Sequence, residues 1–413
     1  MTKSGISLEN VKINNKAAIL EILNKKGEMP RKDIAAELKL TPAAVTLLCT
    51  ELLEDGILLE KGEMQEEKRA GRRKVLIDIN YDYKYIVAVN IETMNTYVTI
   101  TNLKGHRISQ RSLNTDSAME PEEFLRRIAS ECKALLWECE KNSSQVLGMG
   151  ICLPGIVNRK EGISEDTYSI WRRAVPVKKI METYMNCPVI VENNIKAFAE
   201  GELLYGMGKT EENLLFLKWG PGVGSAMVIG NQVYEGAGRK AAEIGHYILE
   251  SGQKKCLCGR TGCLETEVSI TAVTEKLKAV YSKESTPELY RATHGDIQAL
   301  TGEFVYEMVE NTSKEYSIRN TDAAARVFDE CIAAMARVFV NVLTVMAPDR
   351  AILFGCMLEN DKIRKRFLEI CRFYDKRYDE NYMAKSVLSK QITYIGAATL
   401  VAREYFFNFG YSD

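Results

Sequence analysis

The pattern of hydrophobic residues changes character once, near residue 85, and this change limits the folds open to the chain more than any other feature. Before it, the sequence reads as helices. Ala17, Ala18, Ile19, Ile22 and Leu23 recur at helical spacing within a helical region running from Asn14 to Glu60. Arg31–Leu38 (RKDIAAEL) forms a second helical stretch, Lys39–Thr41 a break, and Pro42–Leu53 a third helix. Thr41 is a good N-cap, and Pro42 suits the first helical position, where its missing N–H costs nothing. Gly56 closes that helix. Ile57–Lys61 and Lys74–Ile79 are short β-like runs separated by the charged segment Gly62–Arg73. From Tyr85 onward, IVAVNI, YVTITNL, VLGMGICL, VIVENN, LLFLKW and GSAMVIGN read as strands, with helical stretches such as Pro121–Cys139 and Ile195–Tyr205 between them. Ser269–Ala347 is mostly helical, Ala351–Phe354 and Thr393–Ile395 are expected as late strands, and Ala397–Phe407 as a closing helix.

Alternating strands and helices imply an α/β architecture. The change of pattern divides the chain into residues 1–80 and 81–413. With 413 residues, two to three domains are expected, and 46% hydrophobic residues suffice for a large core. No apolar run reaches the roughly 18 residues of a membrane span, and the N-terminus lacks the basic start and apolar block of a secretory signal. A cytoplasmic location without membrane association is expected. Eleven cysteines then read as free thiols or metal ligands rather than disulfides.

Two helices joined by a short turn and followed by a β-hairpin make a winged helix-turn-helix, whose second helix enters the major groove of double-stranded DNA. Its early exposed residues are expected to be Thr41, Ala43, Ala44, Thr46 and Leu47, since hydroxyls and small apolar groups read base edges and thymine methyls. In the segment Lys68–Lys74, Arg69, Arg72 and Arg73 flank Gly71 and are candidates for phosphates or a narrow minor groove. The plainer alternative is a helical protein-interaction module with a solvated charge run. Charge does not decide between them, because residues 1–80 carry 14 Lys and Arg against 13 Asp and Glu.

Residues 241–269 (AAEIGHYILESGQKKCLCGRTGCLETEVS) hold His246, Cys256, Cys258 and Cys263. Three cysteines within eight residues, flanked by glycines and charges, do not resemble core packing. Nitrogen and sulfur donors in a closed set of four suit structural Zn2+, and thiolates select it over harder cations. Gly259 and Gly262 permit the turns that bring Cys258 and Cys263 round one ion. The alternative is four unliganded residues with the cysteines as small hydrophobes. The remaining cysteines lie mostly in apolar stretches and read as core.

The same stretch resembles the signature of the ROK family (repressors, open reading frames and kinases), G-E-I-G-H followed by C-x-C-G-x-x-G-C-x-E. The resemblance extends from the helix-turn-helix to the C-terminal helix, and Gly71–Arg72–Arg73 is similar to a wing segment of the family's repressors. It implies a two-lobed actin/hexokinase-like (ribonuclease H-like) domain following the winged unit, and the same four zinc ligands. It also implies that Asn193, Glu243, His246 and Glu265 occupy positions that hydrogen-bond sugar hydroxyls, with Asn194 beside them. His246 would use one ring nitrogen for zinc and turn the other to the sugar. The alternative for Glu243 and Glu265 is that they orient the zinc loop rather than touch a sugar. Trp171 is either an aromatic wall or plain core.

Phosphoryl transfer needs a base, a phosphate-cradling loop and a metal-binding acid. The family kinases' D-x-G-G-T reads Asn90–Ile91–Glu92–Thr93–Met94 here, and E-N-D-x-N reads Glu192–Asn193–Asn194–Ile195–Lys196. Asn194 can hydrogen-bond a hydroxyl but cannot take its proton. G-T-G-x-G reads Gly220–Pro221–Gly222–Val223–Gly224, and Pro221 removes a hydroxyl and a backbone donor. Gly222 and Gly224 are then expected to be tight turn positions. Ala242 stands where the family usually has Gly before the glutamate. The reading is a repressor of carbohydrate-utilisation genes that binds operator DNA as a homodimer or homotetramer and is controlled by a sugar in a catalytically inactive domain. A sugar kinase with variant motifs and a regulator bound by a protein partner are the competing readings.

Overall fold

A computed structural model describes residues 8–63, 75–167, 170–171, 173–209, 211–310 and 322–408. Helices α1 (Leu8–Lys26), α2 (Arg31–Leu38) and α3 (Pro42–Glu54) open the chain. Lys39 ends α2 in the left-handed region (φ 53°), and the Thr41 hydroxyl accepts the Ala44 N–H at 3.2 Å to start α3. Strands β1 (Met29–Pro30), β2 (Leu58–Glu63) and β3 (Val75–Ile79) form an antiparallel sheet in the order β1-β3-β2. Ile19, Leu20 and Leu23 of α1 share a core with Ile34, Val45, Leu48, Leu52 and Ile77. Each such side chain contributes about 1.5–3 kcal/mol on burial.

The first lobe comprises β4 (Tyr85–Ile91), β5 (Asn95–Asn102), β6 (Arg107–Asn114), α4 (Pro121–Glu138), β7 (Val146–Leu153), β8 (Ile156–Asn158), β9 (Ile163–Asp166), α5 (Val177–Met185) and β10 (Val189–Asn193). Its main sheet has the order β10-β7-β4-β5-β6, parallel from β10 to β4 and antiparallel beyond. Both faces of β4 are buried, which explains its near-continuous apolar sequence. Val87, Val89 and Ile91 pack with Phe124 and Ile128 of α4, while Ile86 and Ala88 join the core on the opposite face.

The second lobe comprises α6 (Asn194–Tyr205), β11 (Leu214–Trp219), β12 (Val223–Ile229), β13 (Gln232–Val233), α7 (Glu265–Val268), α8 (Ile270–Val280), α9 (Pro287–Ala292), α10 (Gly302–Glu310), α11 (Ala323–Met346), β14 (Arg350–Phe354), α12 (Cys356–Glu359), α13 (Asp361–Tyr374) and β15 (Met383–Lys385), after which α14 (Ile395–Val401) returns to pack on β7 and β4 of the first lobe and on α6. Its sheet runs β13-β12-β11-β14-β15. Leu215 and Leu217 face α8, α11 and α13, whereas Leu214 and Phe216 face the core built on α6 and α14. The two inner helices pack closely: a Cβ at Gly396 would stand 2.9 Å from the Ala197 carbonyl carbon, and one at Gly150 of β7 would meet the Ala397 carbonyl oxygen at 2.0 Å.

The expected strand Thr393–Ile395 is not one; it is a turn leading into α14. The last strand is Met383–Lys385, too short to stand out by alternation. β6 (RISQRSLN) also goes unread in the sequence, because an edge strand with mostly polar, partly exposed residues carries little hydrophobic pattern. The helical stretch expected after Ser269 and the closing helix are present.

Candidate functional site

His246 ends a short 3-10 turn (Ile244–His246), and the cysteines lie on the loop that precedes α7. The four donor atoms lie within 4.8 Å of one another, and this is the metal-competent cluster among the described residues. Cys258 Sγ is 3.6 Å from Cys263 Sγ, and Cys256 Sγ is 3.6 Å from His246 Nδ1. Zinc–sulfur bonds of about 2.3 Å at tetrahedral angles put two sulfurs roughly 3.8 Å apart, so the spacing suits one zinc ion. It is far too long for a disulfide at about 2.05 Å. Gly259 (φ 87°) and Gly262 (φ 81°) are both left-handed, as the turns require, and a Cβ at Gly262 would stand 2.8 Å from the Gly252 carbonyl oxygen. Burial holds the His246 imidazole below its usual range, which keeps it in the neutral ligand form. Burial raises the Cys258 thiol, but hydrogen bonds from the Arg260 side chain and backbone outweigh this and lower it overall.

His246 also links this cluster to the pocket residues. Its Nδ1 faces Cys256, and its Nε2 lies 3.9 Å from Glu243 Oε2. Glu265, the first residue of α7, accepts the Val223 N–H at 2.9 Å through Oε2. Burial raises the carboxyls of both Glu243 and Glu265, and the Glu265 charge pushes Glu243 further in the same direction. The charges of Lys196 and Arg260 oppose that shift. Lys196 is a functional candidate that the sequence reading passed over. It is buried on the first turn of α6, and its ammonium donates to the Arg239 carbonyl at 2.8 Å. Its signal was a cation in the last position of Glu192–Lys196, where the family motif has Asn. Ala242 takes φ 62°, which explains a glycine preference there and costs a non-glycine residue about 1–2 kcal/mol.

Asn193 and Asn194 have structural partners. Asn193 Oδ1 caps α6 by accepting the Ile195 and Lys196 N–H groups at 2.9 and 3.1 Å, and its Nδ2 donates to the Gly155 carbonyl at 2.8 Å. Asn194 Nδ2 donates to Glu92 Oε1 at 2.8 Å. Lys218 Nζ of β11 reaches the same oxygen at 2.7 Å, and Asn90 Nδ2 reaches it at 3.3 Å. A carboxylate from the first lobe and an ammonium from the second therefore meet at the positions that match the family's phosphate and base motifs. Gly222 and Gly224 do not owe their identity to turn conformation, since neither has a positive φ. They owe it to close approach: a Cβ would stand 3.1 Å from Glu265 Oε2 at Gly222 and 2.1 Å from Ile195 Cδ1 at Gly224. Trp171 is core, buried and edge-on to Phe124 at 6.4 Å.

Glu192, just before these asparagines, is buried beside a cluster of ionised groups. Arg159 Nη1 lies 3.9 Å from it and also pairs with Glu200, while Arg159 Nη2 lies 3.8 Å from Glu404. Burial pushes the Glu192 carboxyl up to about 7 from an ordinary 4.5. A raised folded-state value stabilises the fold fully below the unfolded value, and this contribution is lost as pH rises through the folded one. The melting temperature is expected to fall between about pH 5 and about pH 8, and Glu192→Gln is expected to flatten that fall in a pH series of melts. An equally steep fall in the variant would assign the dependence to other groups.

In the winged unit, Thr41, Ala43, Thr46 and Leu47 are exposed and Ala44 is half-buried, all near the start of α3. Leu47 is 60% exposed, so its side chain is available to a thymine methyl or another apolar group. The Thr46 hydroxyl donates to the Pro42 carbonyl at 2.7 Å, which leaves its oxygen free to accept. Thr50 continues this exposed face and went unread in the sequence. Arg69, Arg72 and Arg73 lie outside the described residues.

A model of the ROK family matches residues 86–404, and a model of winged helix-turn-helix DNA-binding domains matches residues 15–58. The xylose repressor of Caldicellulosiruptor bescii is 28% identical over 64% of this chain and 66% of its own length, so the match spans about two thirds of that relative. A crystal structure of a ROK family transcriptional regulator, homologous to the E. coli MLC protein, superimposes with a TM-score of 0.73 at 21% identity, covering 96% of this chain and 97% of that one. A ROK family glucokinase from Streptomyces griseus, solved with glucose and AMPPNP, gives a TM-score of 0.63 at 22% identity over 76% of this chain and 98% of its own. The chain belongs to the ROK family. It joins a winged helix-turn-helix DNA-binding unit to the family's domain in one chain, and shares its fold with that regulator. Among the described residues, no helix is long and apolar enough to cross a membrane.

Proposed function

We propose that the chain represses sugar-utilisation genes by binding operator DNA as a symmetric oligomer in the cytoplasm, and that a sugar held by the ROK domain controls this binding. The observation that carries the proposal is the coexistence of two features in one chain. One is an exposed face on α3, and the other is a group of polar side chains, Glu243, His246 and Glu265, set beside a Cys3His cluster. Zinc holds the loop and leaves His246 Nε2 and the two carboxylates facing the sugar, with the remaining polarity of Asn193 and Asn194 beside them. The relatives' names make xylose the first sugar to test. Residues 1–80 serve as the DNA-binding unit and residues 81–413 as the effector-binding and oligomerisation unit. Arg69, Arg72 and Arg73 on the wing reach the DNA backbone or minor groove.

The domain works without phosphoryl transfer. Asn194 has no proton-accepting carboxylate, and Glu92, held by Lys218 and Asn194, puts a side chain where the family kinases have a phosphate-cradling glycine. Fluorescence-anisotropy titration against the chain's own upstream DNA, with D-xylose, D-glucose and N-acetyl-D-glucosamine, tests the reading. Selective binding altered by one sugar supports it. Binding no better than to random DNA, lost steeply with salt, counts against it. Turnover of ATP with any of these sugars would favour the kinase reading; background turnover is expected in both the parent and Asn194→Asp, because Pro221 and Glu92 remain. In the same assay Leu47→Ala, which removes the apolar contact without adding charge, is expected to weaken the selective complex by roughly 10-fold, the value of a lost base-edge contact, while leaving random-DNA binding much less affected. An equal loss on both DNAs would remove Leu47 from sequence reading.

A further inference from the structure

Helix α6 touches both functional ends of the molecule. Asn193 caps it and Asn194 begins it, beside the candidate sugar pocket. At its far end, the Leu204 carbonyl accepts a hydrogen bond at 3.1 Å from Nδ2 of Asn24, two residues before the end of α1. Twelve residues at about 1.5 Å each make a rod of roughly 18 Å. Lys196–Glu202, the middle of the helix, is buried throughout, so neighbours on every side resist its bending.

Both ends are gripped by side chains. At the pocket end, Glu92 Oε1 receives Asn194 Nδ2 at 2.8 Å and Lys218 Nζ at 2.7 Å, which ties the helix start to both lobes. At the other end, Tyr205 donates its hydroxyl to the Leu103 carbonyl at 2.7 Å, and the Leu103 N–H bonds the Tyr81 carbonyl at 3.0 Å. Tyr81 in turn donates its hydroxyl to Asn24 Oδ1 at 3.3 Å. The Asn24 amide is therefore fixed on both its oxygen and its nitrogen. Beyond this joint, α1 shares its core with α3 and is tied to it by Lys16, which pairs with Glu51 at 3.0 Å. A displacement of α1 carries the recognition helix with it.

We propose that α6 transmits the state of the sugar pocket to the winged helix, and that the Asn24–Leu204 hydrogen bond is the joint through which it does so. The proposal rests on the sugar-controlled repressor reading. A sugar that binds one lobe arrangement more tightly than the other shifts the start of α6, and the buried rod moves its end against α1 as a unit. Asn24 lies in neither the pocket nor the DNA-facing surface, so its loss uncouples two sites that each remain intact. Coupling is reciprocal, so operator DNA must change sugar affinity by the factor by which sugar changes operator affinity.

The test is a thermodynamic cycle on the full-length chain with its upstream DNA and whichever of D-xylose, D-glucose and N-acetyl-D-glucosamine alters DNA binding. For Asn24→Ala, operator affinity without sugar and sugar affinity without DNA are expected within about threefold of the parent. The effect of sugar on operator affinity is expected to drop from roughly 10–100-fold to less than about threefold. Tyr81→Phe, which removes one partner of the Asn24 amide and keeps the ring, is expected to give an intermediate loss. If the parent shows no sugar effect, the repressor reading fails. If the parent responds and Asn24→Ala responds equally, the α6 proposal fails and the repressor reading stands. Should Asn24→Ala not melt cooperatively, Tyr81→Phe decides, and an undiminished response in it overturns the proposal.

Discussion

Cys263→Ser is expected to release bound zinc, lower the melting temperature by roughly 5–10 °C and weaken sugar binding by at least about 100-fold. The loop it belongs to is held by backbone hydrogen bonds and the Lys254–Glu275 ion pair rather than by an apolar core of its own. Leu257, between two of the cysteines, is 71% exposed, so no apolar core forms inside the loop. Its backbone is held by isolated bridges between Lys255 and Thr261 and between Ile248 and Cys263, and by the Cys256 N–H bond to the Arg260 carbonyl at 2.8 Å. Cys263 is fully buried, and burial pushes its thiol up to about 12, so without a metal this sulfur stays protonated beside its neighbours. A serine oxygen is a poorer zinc donor, and three remaining ligands leave the site open. Metal content by mass spectrometry reads the outcome directly: about one equivalent in the parent and almost none in the variant. Cys371→Ser is the control, because Cys371 is equally buried in the core but belongs to no cluster. Zinc retained by Cys263→Ser, or lost equally from the control, would sink the assignment.

How far the sequence alone led differs from element to element, for physical reasons. The helix-turn-helix was legible almost residue by residue because its signals are local. Thr41 and Pro42 mark a helix start that needs no tertiary information, and α3 begins where that cap puts it. The central strands were equally legible because burial on both faces writes itself as unbroken apolar runs. Edge strands and the short β15 were not, since their residues answer to solvent and to neighbours distant in the chain. The metal cluster was visible because spacing over eight residues limits geometry severely. The hub at Glu92 was invisible in the sequence. Residues 92, 194 and 218 come together only after two lobes have folded against each other, and each residue taken alone looks like a departure from a motif. The glycines at 222 and 224 show the converse case: the residues were read correctly, but the cause is a neighbouring side chain rather than the turn itself.

Glu243→Gln separates the two roles that this glutamate can have. If Glu243 accepts hydrogen bonds from sugar hydroxyls, the substitution replaces a charged acceptor with a neutral one of the same shape. Hydrogen bonds to charged groups are worth about 1.5–3 kcal/mol, so sugar affinity should fall by roughly 10–150-fold. Zinc content, melting temperature and sugar-free operator affinity should stay with the parent. If Glu243 instead only orients His246, from which it stands 3.9 Å away, the first casualty is the metal, because outer partners of a histidine ligand typically change metal affinity by 10–100-fold. Calorimetric titration with sugar, run beside a zinc-competition assay with a chelator, distinguishes the two. Burial already disfavours the Glu243 carboxylate, and the nearby charge of Glu265 disfavours it further. Lys196 and Arg260 offset part of this, and Glu265 already accepts the Val223 N–H, but the paired, partly buried carboxylates still gain from further hydrogen-bond donors. Sugar hydroxyls, which donate to both carboxylates without adding charge, are such donors. Loss of sugar affinity with zinc retained is therefore the expected outcome, and loss of zinc with sugar affinity unchanged in the zinc-loaded fraction would return Glu243 to a supporting role.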